Sequence, residues 1–235
     1  MFDHEHHQKI AQALSLFNGD LLREQHCYFG GGTAIALTYG EYRESVDIDF
    51  LVSDLTAYRT LRQLLTTSRG IETIMQPGQQ LVRQIREIRA DQYGIRTVLS
   101  VAESPIKFEI VREARIALDT PDDTQTICHV TTLTPIDMAA SKLLANADRW
   151  ADAGVFNRDV IDLAMMQPSP KILMKAIEKA QSAYGDAICR DLHNAIDHLQ
   201  QKTGWLERCM QAMSMHTPKA LLWQHLNLLK KYCKV

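Results

Sequence analysis

Two short segments in the first quarter of the chain combine residue types that could hold a phosphorylated ligand and a metal ion. The first is Gly30-Gly31-Gly32-Thr33, a glycine-rich turn between an apolar run and a helix-compatible segment. Such a turn lets backbone N–H groups approach an anion, and the start of the following helix adds the positive end of its dipole. The second is Ser45–Phe50, in which Asp47 and Asp49 alternate with apolar residues. This alternation predicts a strand with both carboxylates on one face, where they can share a hard cation.

A third carboxylate is expected if the site holds two metal ions. Glu109 is the best candidate, because it lies in the alternating strand Ile106–Ile110, where a Glu facing the core would need a partner. A glycine turn and these acids are the parts needed to hold Mg²⁺ and a nucleoside triphosphate, since Mg²⁺ prefers carboxylate, water and phosphate oxygens. The alternatives are that Asp47 and Asp49 lie on a solvent-facing edge strand, and that Glu109 is a surface residue paired with Lys107 or Arg112.

The elements that must position these residues are predicted to mix helices and strands. Helical spacing over residues 5–26 precedes the glycines, and Ser53 is expected to cap a helix that reaches about Thr67. Asp91–Gly94 has the composition of a hairpin turn. Strands are expected at about 46–52, 82–90, 95–102 and 106–113. These elements predict a small sheet with helices packed against it.

The chain changes character at Thr134–Asp137, where Thr, Pro and Asp are ordered as at a helix start. Beyond it the pattern is helical almost throughout. We therefore predict an α+β protein with an α/β domain over residues 1–133 and an α-helical domain over 134–235. The formal charge is −5 for the first range and +3 for the second. This asymmetry indicates either that the acidic range binds a metal ion and nucleotide while the basic range binds an anion, or that the two ranges have solvated surfaces that differ only in charge.

The order of these motifs resembles that of the polymerase β type of nucleotidyltransferase. Within that superfamily the chain is most similar to the AbiEii/AbiGii toxin family of bacterial toxin–antitoxin and phage-defence systems. Besides the glycine turn and the Asp pair, the similarity rests on Lys142 in a helical segment and on Arg158-Asp159-x-x-Asp162-Leu163. It covers roughly residues 28–165.

The resemblance implies a polymerase β-like domain with a small mixed sheet, followed by a helical domain, and it implies roles for single residues. Asp47, Asp49 and Glu109 would bind Mg²⁺, with Glu109 replacing the more usual Asp. Lys142 would neutralise charge on the β- and γ-phosphates, although a solvated position on an amphipathic helix is the alternative. The other site residues would contact the triphosphate, position Asp47 or orient Lys142; they are Gly31, Gly32, Thr33, Arg43, Ser45, Asp159 and Asp162. Asp159 and Asp162 could instead form structural ion pairs.

The reaction implied is transfer of NMP from an NTP to an acceptor hydroxyl, with release of pyrophosphate. The resemblance points to an RNA acceptor, such as a tRNA 3′ end, to an antitoxin partner and to action as a toxin. The alternatives are a catalytically silent protein that binds nucleotide or a partner, and an enzyme that nucleotidylates a protein or a small molecule.

Composition excludes several other classes of protein. With 46% hydrophobic and 23% charged residues, the chain has the composition of a globular protein. It has no apolar run of the roughly 18 residues that a membrane span needs, and its first residues lack the pattern of a secretory signal. Five widely spaced cysteines favour a reducing cytoplasm over a disulfide framework or a zinc site.

Three groups of basic or histidine residues are open to more than one interpretation. A histidine-rich start has a metal-binding composition, but a frayed terminus is favoured. A set of strand arginines could line a phosphate path, although residue parity argues against one continuous stripe. The basic end of the last helix is expected to be solvated, with RNA contact as the alternative. These groups are His4, His6 and His7; Arg83, Arg86, Arg89 and Arg96; and Lys230, Lys231 and Lys234.

Overall fold

The computed structural model describes residues 2–233. Lys234, which we expected at the basic end of the last helix, lies outside the described residues, as do Met1 and Val235. The chain divides into two compact units, one formed by Met1–Thr38 with Ser45–Thr134 and the other by Tyr39–Glu44 with Pro135–Val235. The inclusion of Tyr39–Glu44 in the second unit was not predicted from the sequence.

The first unit is built on a mixed sheet of six strands, which are β1 Tyr28–Gly30, β2 Ile48–Val52, β3 Val82–Gln84, β4 Arg89–Ala90, β5 Gly94–Val101 and β6 Ser104–Arg112. The strand order is β1-β2-β6-β5-β3, and β4 also pairs with β5. β2 and β6 run parallel, whereas the other pairs are antiparallel. The unit also contains β7 Thr126–Ile127 and β8 Val130–Thr131, the helices α1 Glu5–Leu14, α2 Gly19–Glu24, α3 Gly31–Thr38 and α4 Leu55–Leu65, and a 3₁₀ helix at Gly70–Ile74.

An aromatic cluster closes one face of this sheet. Phe17, Phe29, Phe50 and Phe108 are each at most 1% exposed. Their neighbouring ring centroids lie between 5.5 and 5.9 Å apart. Because successive strand residues point to opposite faces, this packing directs Asp49 to the other face of the sheet.

The strand that carries Asp49 is shorter than predicted. β2 begins at Ile48, so Asp47 lies immediately before the strand rather than inside it. Val46 is 46% exposed and does not join Ile48 and Phe50 in the core. The predicted strand over 82–90 is likewise divided into β3 and β4. The hairpin at Asp91–Gly94 is confirmed, since the Gly94 N–H donates to Asp91 Oδ1 at 3.0 Å.

Two helices of the first unit begin at residues whose side chains cap them, and the spacing of apolar residues did not predict these starts. The expected helical stretch over 5–26 is two helices, because Asn18 Oδ1 accepts the Leu21 N–H at 3.1 Å and starts α2. Asp54, rather than Ser53, caps α4 by accepting the Ala57 N–H at 2.6 Å. Side-chain oxygens of this kind satisfy N–H groups that the first helical turn leaves without partners.

The second unit is helical, with α5 Pro135–Arg149, α6 Arg158–Met166, α7 Pro170–Tyr184, α8 Ala187–Gln201, α9 Trp205–Ala212, α10 Lys219–Tyr232 and a 3₁₀ helix at Ala153–Val155. The predicted helix start at Pro135 is confirmed. Cys189 and Cys233 form a disulfide, with Cα atoms 5.2 Å apart, so the expectation of reduced cysteines is wrong for this pair. Within residues 2–233, none of the helices has both the length and the apolar composition of a membrane span.

Candidate active site

Five residues form a row across one face of the sheet, which we call the cross-strand row. Strand register pairs Gly30 with Asp49, Asp49 with Glu109, Glu109 with Arg96, and Arg96 with Arg89. Side chains at paired positions of neighbouring strands lie on the same face of a sheet. The row therefore places two acids between the glycine turn on one side and two arginines on the other.

The glycine turn lies directly against Asp49. Gly31 has a φ of +68°, in the left-handed region, and a Cβ built on it would lie 2.4 Å from Asp49 Oδ2. Any side chain at this position would be strained and would displace the carboxylate. Because α3 begins at Gly31, the positive end of a helix dipole lies beside Asp49. Gly31 and Gly32 are both partly exposed, as a turn that contacts a ligand requires.

Buried polar side chains fix the backbone that leads into Asp47. The Thr33 hydroxyl donates to the Asp47 carbonyl oxygen at 2.6 Å, and Thr33 Oγ1 lies 2.8 Å from Ser45 Oγ. The Ser45 N–H in turn donates to Nε2 of His7 at 3.0 Å. The resemblance placed Thr33 at the triphosphate, but Thr33 is only 1% exposed and instead holds the Asp47 segment. Ser45 was expected to position Asp47, to touch phosphate or only to cap the strand, and it is buried among these contacts.

The N-terminal histidines belong to this support, so the prediction of a frayed terminus is wrong for them. His7 is fully buried, and His6 Nε2 lies 3.1 Å from the Val46 carbonyl oxygen. Both histidines lie on α1, which begins at Glu5. Sequence reasoning missed them because 38 residues separate His7 from Ser45, and no local pattern connects the two.

Replacing His7 with Ala is expected to lower the rate of nucleotide transfer about 10-fold, the lower end of the usual effect of removing a residue that supports a functional site from outside it. The Ser45 N–H would lose its acceptor, and the segment before Asp47 would be held less firmly. The measurement is kcat together with the Mg²⁺ concentration that gives half-maximal rate, and His7→Gln should restore part of the activity by supplying another acceptor. An unchanged Mg²⁺ dependence in a folded His7→Ala variant would contradict this role.

Glu109 is held by an arginine rather than by the other acids. Its Oε1 accepts from Arg96 Nε at 2.7 Å, and its side chain is 30% exposed. Across residues 2–233, no three His, Cys, Asp or Glu side chains are grouped closely enough to hold a metal ion, so the predicted three-carboxylate site is not formed. Asp47 and Asp49 still supply suitable donors, because Mg²⁺ usually takes one or two carboxylates and completes its shell with water and phosphate.

A cavity of about 680 Å³ opens over the cross-strand row. This volume lies within the range of about 300–1,000 Å³ that is usual for small-molecule sites. Acidic and basic side chains line it in equal number; the acids are Asp47, Asp49, Glu87 and Glu109, and the bases are Arg86, Arg89, Arg96 and Lys107. The lining of the cavity thus includes the three predicted acids and three of the four strand arginines.

The second unit contains a buried ion-pair network centred on Asp162. The Asp162 carboxylate accepts two hydrogen bonds from Arg43, at 2.7 and 3.0 Å, and one from the Tyr42 hydroxyl at 2.6 Å. Lys142 Nζ lies 2.6 Å from Asp162 Oδ2 and 2.9 Å from Asp159 Oδ1. A further cation, Arg149, completes the pairing of Asp159, with Nε 2.7 Å from Oδ2. We call these six residues the Asp162 network.

Charge pairing within the Asp162 network outweighs the effect of burial. Burial alone would raise the pKa of Asp162, but Arg43 and Lys142 hold that pKa well below its ordinary value. Burial likewise opposes the charge of Lys142, yet Asp162 and Asp159 raise its pKa. The acids and the lysine are therefore charged together in the folded unit.

Two predicted phosphate ligands, Arg43 and Lys142, are members of this buried network. Lys142 is 6% exposed and in contact with two carboxylates, so it is not the solvated cation that its helix pattern allowed. Arg43 pairs with Asp162 and not with Asp47. Asp159 and Asp162 form the structural ion pairs that the sequence left open, and they contact Lys142 as the resemblance implied.

Residues 15–227 match a family described as the nucleotidyl transferase AbiEii toxin of type IV toxin–antitoxin systems. The chain belongs to this family. The matched range includes the glycine turn, Asp47, Asp49, Glu109 and the Asp162 network. The match confirms the resemblance found in the sequence. It also confirms that this AbiEii-family chain is a nucleotidyltransferase.

The fold of this AbiEii-family chain was compared with two solved structures. A candidate nucleotidyltransferase from Helicobacter pylori aligns over 96% of this chain and 93% of its own, with a TM-score of 0.50 and 14% identity. The protein JHP933 from Helicobacter pylori aligns over 98% and 94%, with a TM-score of 0.47 and 16% identity. The predicted α+β fold class is confirmed. No protein of curated function matches the sequence.

Proposed function

We propose that this AbiEii-family chain is an Mg²⁺-dependent enzyme that transfers NMP from an NTP to a hydroxyl of RNA, with a tRNA 3′ end as the first candidate acceptor. The observation that carries the proposal is the contact between Gly31 and Asp49, in register with Glu109 and in one cavity with Asp47. It joins an anion-binding turn to a set of carboxylates, which is the combination that a metal-bound triphosphate needs.

The glycine turn supports a position for the triphosphate. Backbone N–H groups at a helix start bind phosphate oxygens without needing a cationic side chain. Gly31 and Gly32 lie at the start of α3 and are partly exposed, so they are proposed to contact the β- and γ-phosphates. Lys142 is not required for this role, since its charge is matched by two carboxylates.

Asp47 and Asp49 both line the cavity over the cross-strand row, and they are proposed to hold Mg²⁺ there. The ion, when bound, would offset the charge of the triphosphate and of the leaving pyrophosphate. The chain's own contribution is positional, because Thr33, Ser45 and His7 fix the backbone at Asp47 while Gly31 supports Asp49. Positioning and charge stabilisation supply most of the rate in phosphoryl transfer of this kind.

Glu109 is proposed to orient the attacking hydroxyl. It is the neighbour of Asp49 in the cross-strand row, and Arg96 holds one of its carboxylate oxygens. The other oxygen can accept the hydroxyl proton as the bond to the α-phosphorus forms and pyrophosphate leaves. The Arg96 contact fixes the orientation of the carboxylate towards the cavity.

The family description also supports proposals about the role of the reaction in the cell. We propose that transfer to RNA inhibits growth, so that the chain acts as a cytoplasmic toxin, and that an antitoxin protein opposes it. Transfer to RNA would inhibit growth because a nucleotide added to a 3′ end changes the terminus that other enzymes must recognise.

Incubation with each α-labelled NTP, Mg²⁺ and total RNA is expected to place label covalently on RNA, and EDTA should abolish it. Denaturing electrophoresis identifies the labelled species, and periodate treatment of the RNA should block labelling if the acceptor is a 3′ end. Label on a protein or a small solute would assign a different acceptor. Label that is bound but never transferred would show a nucleotide-binding protein and contradict the proposal.

A further inference from the structure

Four basic side chains line the cavity, and two of them continue the cross-strand row beyond the acids. Arg96 follows Glu109 in the row, and Arg89 follows Arg96. Arg86 and Lys107 contribute to the same lining. We call these four residues the basic side of the cavity. In the cross-strand row, Asp49 and Glu109 lie between the two arginines and the glycine turn.

Three members of the basic side are available to a ligand. Arg86, Arg89 and Lys107 are exposed, and within residues 2–233 no carboxylate lies at ion-pair distance from any of them. Arg83, on the preceding strand, differs because it pairs with Glu103 at 2.7 Å and lines another cavity. The charge of Arg83 is therefore balanced by a carboxylate at ion-pair distance, whereas the charges of the three exposed members of the basic side are not.

Arg96 connects this surface to the acids. Its Nε contacts Glu109 and its Nη1 lies 3.3 Å from Asp91 Oδ2, while 45% of the side chain stays exposed. A guanidinium has five N–H donors, so donors remain for a phosphate. Gly94 leaves room for the group, because a Cβ there would lie 3.0 Å from Arg96 Nη2.

We infer that the basic side binds phosphodiester groups of the acceptor strand and thereby brings its reacting hydroxyl to Glu109. This inference rests on the proposed transfer to RNA. Four positive and four negative side chains line the cavity, so a divalent ion on Asp47 and Asp49 gives the cavity a positive balance before nucleotide binds, and this balance attracts a polyanion. The triphosphate is proposed to bind beside the opposite end of the row, at Gly31 and Gly32, so the basic side is left for the second substrate.

The test measures binding without requiring transfer. The probe is a fluorescent single-stranded oligoribonucleotide of about 12 nucleotides, a length within the range of known single-strand sites. Its affinity is followed by anisotropy in Mg²⁺ as salt increases. The double variant Arg86→Gln/Arg89→Gln should bind about 10-fold more weakly, and its slope of log affinity against log salt should fall by about 1.4, since each lost single-strand phosphate contact removes about 0.7. Arg83→Gln is the matched control and should bind like the wild type.

A second measurement separates the two substrates. Thermal stabilisation by Mg²⁺ with NTP should be the same in the double variant and the wild type, because the triphosphate does not use these arginines. An unchanged salt slope in the double variant, or weakened NTP binding with normal oligonucleotide binding, would overturn the inference. The proposed function is tested separately, by the transfer assay. Failure of the wild type to label RNA in that assay would overturn the proposed function, whereas the anisotropy experiment tests only the role of the basic side.

Discussion

Replacing Asp47 and Asp49 together with Asn is expected to lower the rate of nucleotide transfer by at least about 100-fold, the effect of removing one strong electrostatic contribution to a transition state. Asn keeps the shape of each side chain and removes its charge. The segment around Asp47 should keep its structure, because Thr33 bonds the backbone of Asp47 and not its side chain. Initial rates at saturating NTP and Mg²⁺ provide the measurement.

Thermal melts separate loss of metal binding from loss of folding. Two neighbouring carboxylates repel each other when no cation is present, so each single Asn variant should melt slightly above the wild type without metal. Mg²⁺ with NTP should stabilise the wild type and should not stabilise the double variant. Glu87→Gln is the matched control, because Glu87 is an acid of the same cavity outside the cross-strand row. A double variant that transfers nucleotide at a rate comparable to this control would place the metal site elsewhere.

The parts of the candidate site that the sequence predicted are those set by local spacing. Gly31 to Thr33 and Asp47 to Asp49 are short motifs, and the alternation of strand residues predicted that Asp49 lies on the face opposite Ile48 and Phe50. The pairing of Asp49 with Glu109 needs strand order and register, which depend on contacts between residues far apart in the chain. The Arg96–Glu109 contact depends on the same register and was therefore not predicted.

Charged residues in the second unit were the least predictable. Asp159 and Asp162 are three residues apart, which correctly indicates neighbours on one helix face. Their cations could not be identified, because Arg43 lies 119 residues before Asp162. Lys142 has the pattern of a solvated cation on an amphipathic helix, and only tertiary packing makes it a buried partner. Sequence spacing therefore located the acids and left open whether they serve structure or substrate.

Replacing Asp162 with Asn is expected to destabilise the second unit by about 3–5 kcal/mol, the usual effect of breaking a buried ion pair from one side. Asp162 is fully buried and is the common partner of Tyr42, Arg43 and Lys142. Its loss leaves the Arg43 guanidinium buried without its carboxylate. Tryptophan fluorescence reports on the structure of this unit, because all three tryptophans, Trp150, Trp205 and Trp223, lie in it.

The same network gives the stability of the second unit a defined dependence on pH. The pKa values of Asp159 and Asp162 are both held below the ordinary value, against the effect of burial. The pKa of Asp in an unfolded chain is about 3.9. Below that pH the unfolded chain therefore binds protons that the folded unit does not bind. The network therefore contributes its full stability above this pH and loses it as the pH falls towards the folded pKa values. Asp162→Asn should show a shallower loss of stability between about pH 5 and pH 3, since one of the two depressed carboxylates is gone.

Two further variants rank the contributions within the Asp162 network. Lys142→Met should cost less than Asp162→Asn, because Asp162 keeps both hydrogen bonds from Arg43 and Asp159 keeps Arg149. Arg158→Gln is the control on the same helix and should change the free energy of unfolding by less than about 0.5 kcal/mol, since Arg158 is exposed. If Asp162→Asn unfolds like this control, the network does not stabilise the unit. If Lys142→Met instead unfolds normally and loses its use of NTP at limiting concentration, the lysine leaves its two carboxylates to contact phosphate, and the structural role assigned to it is wrong.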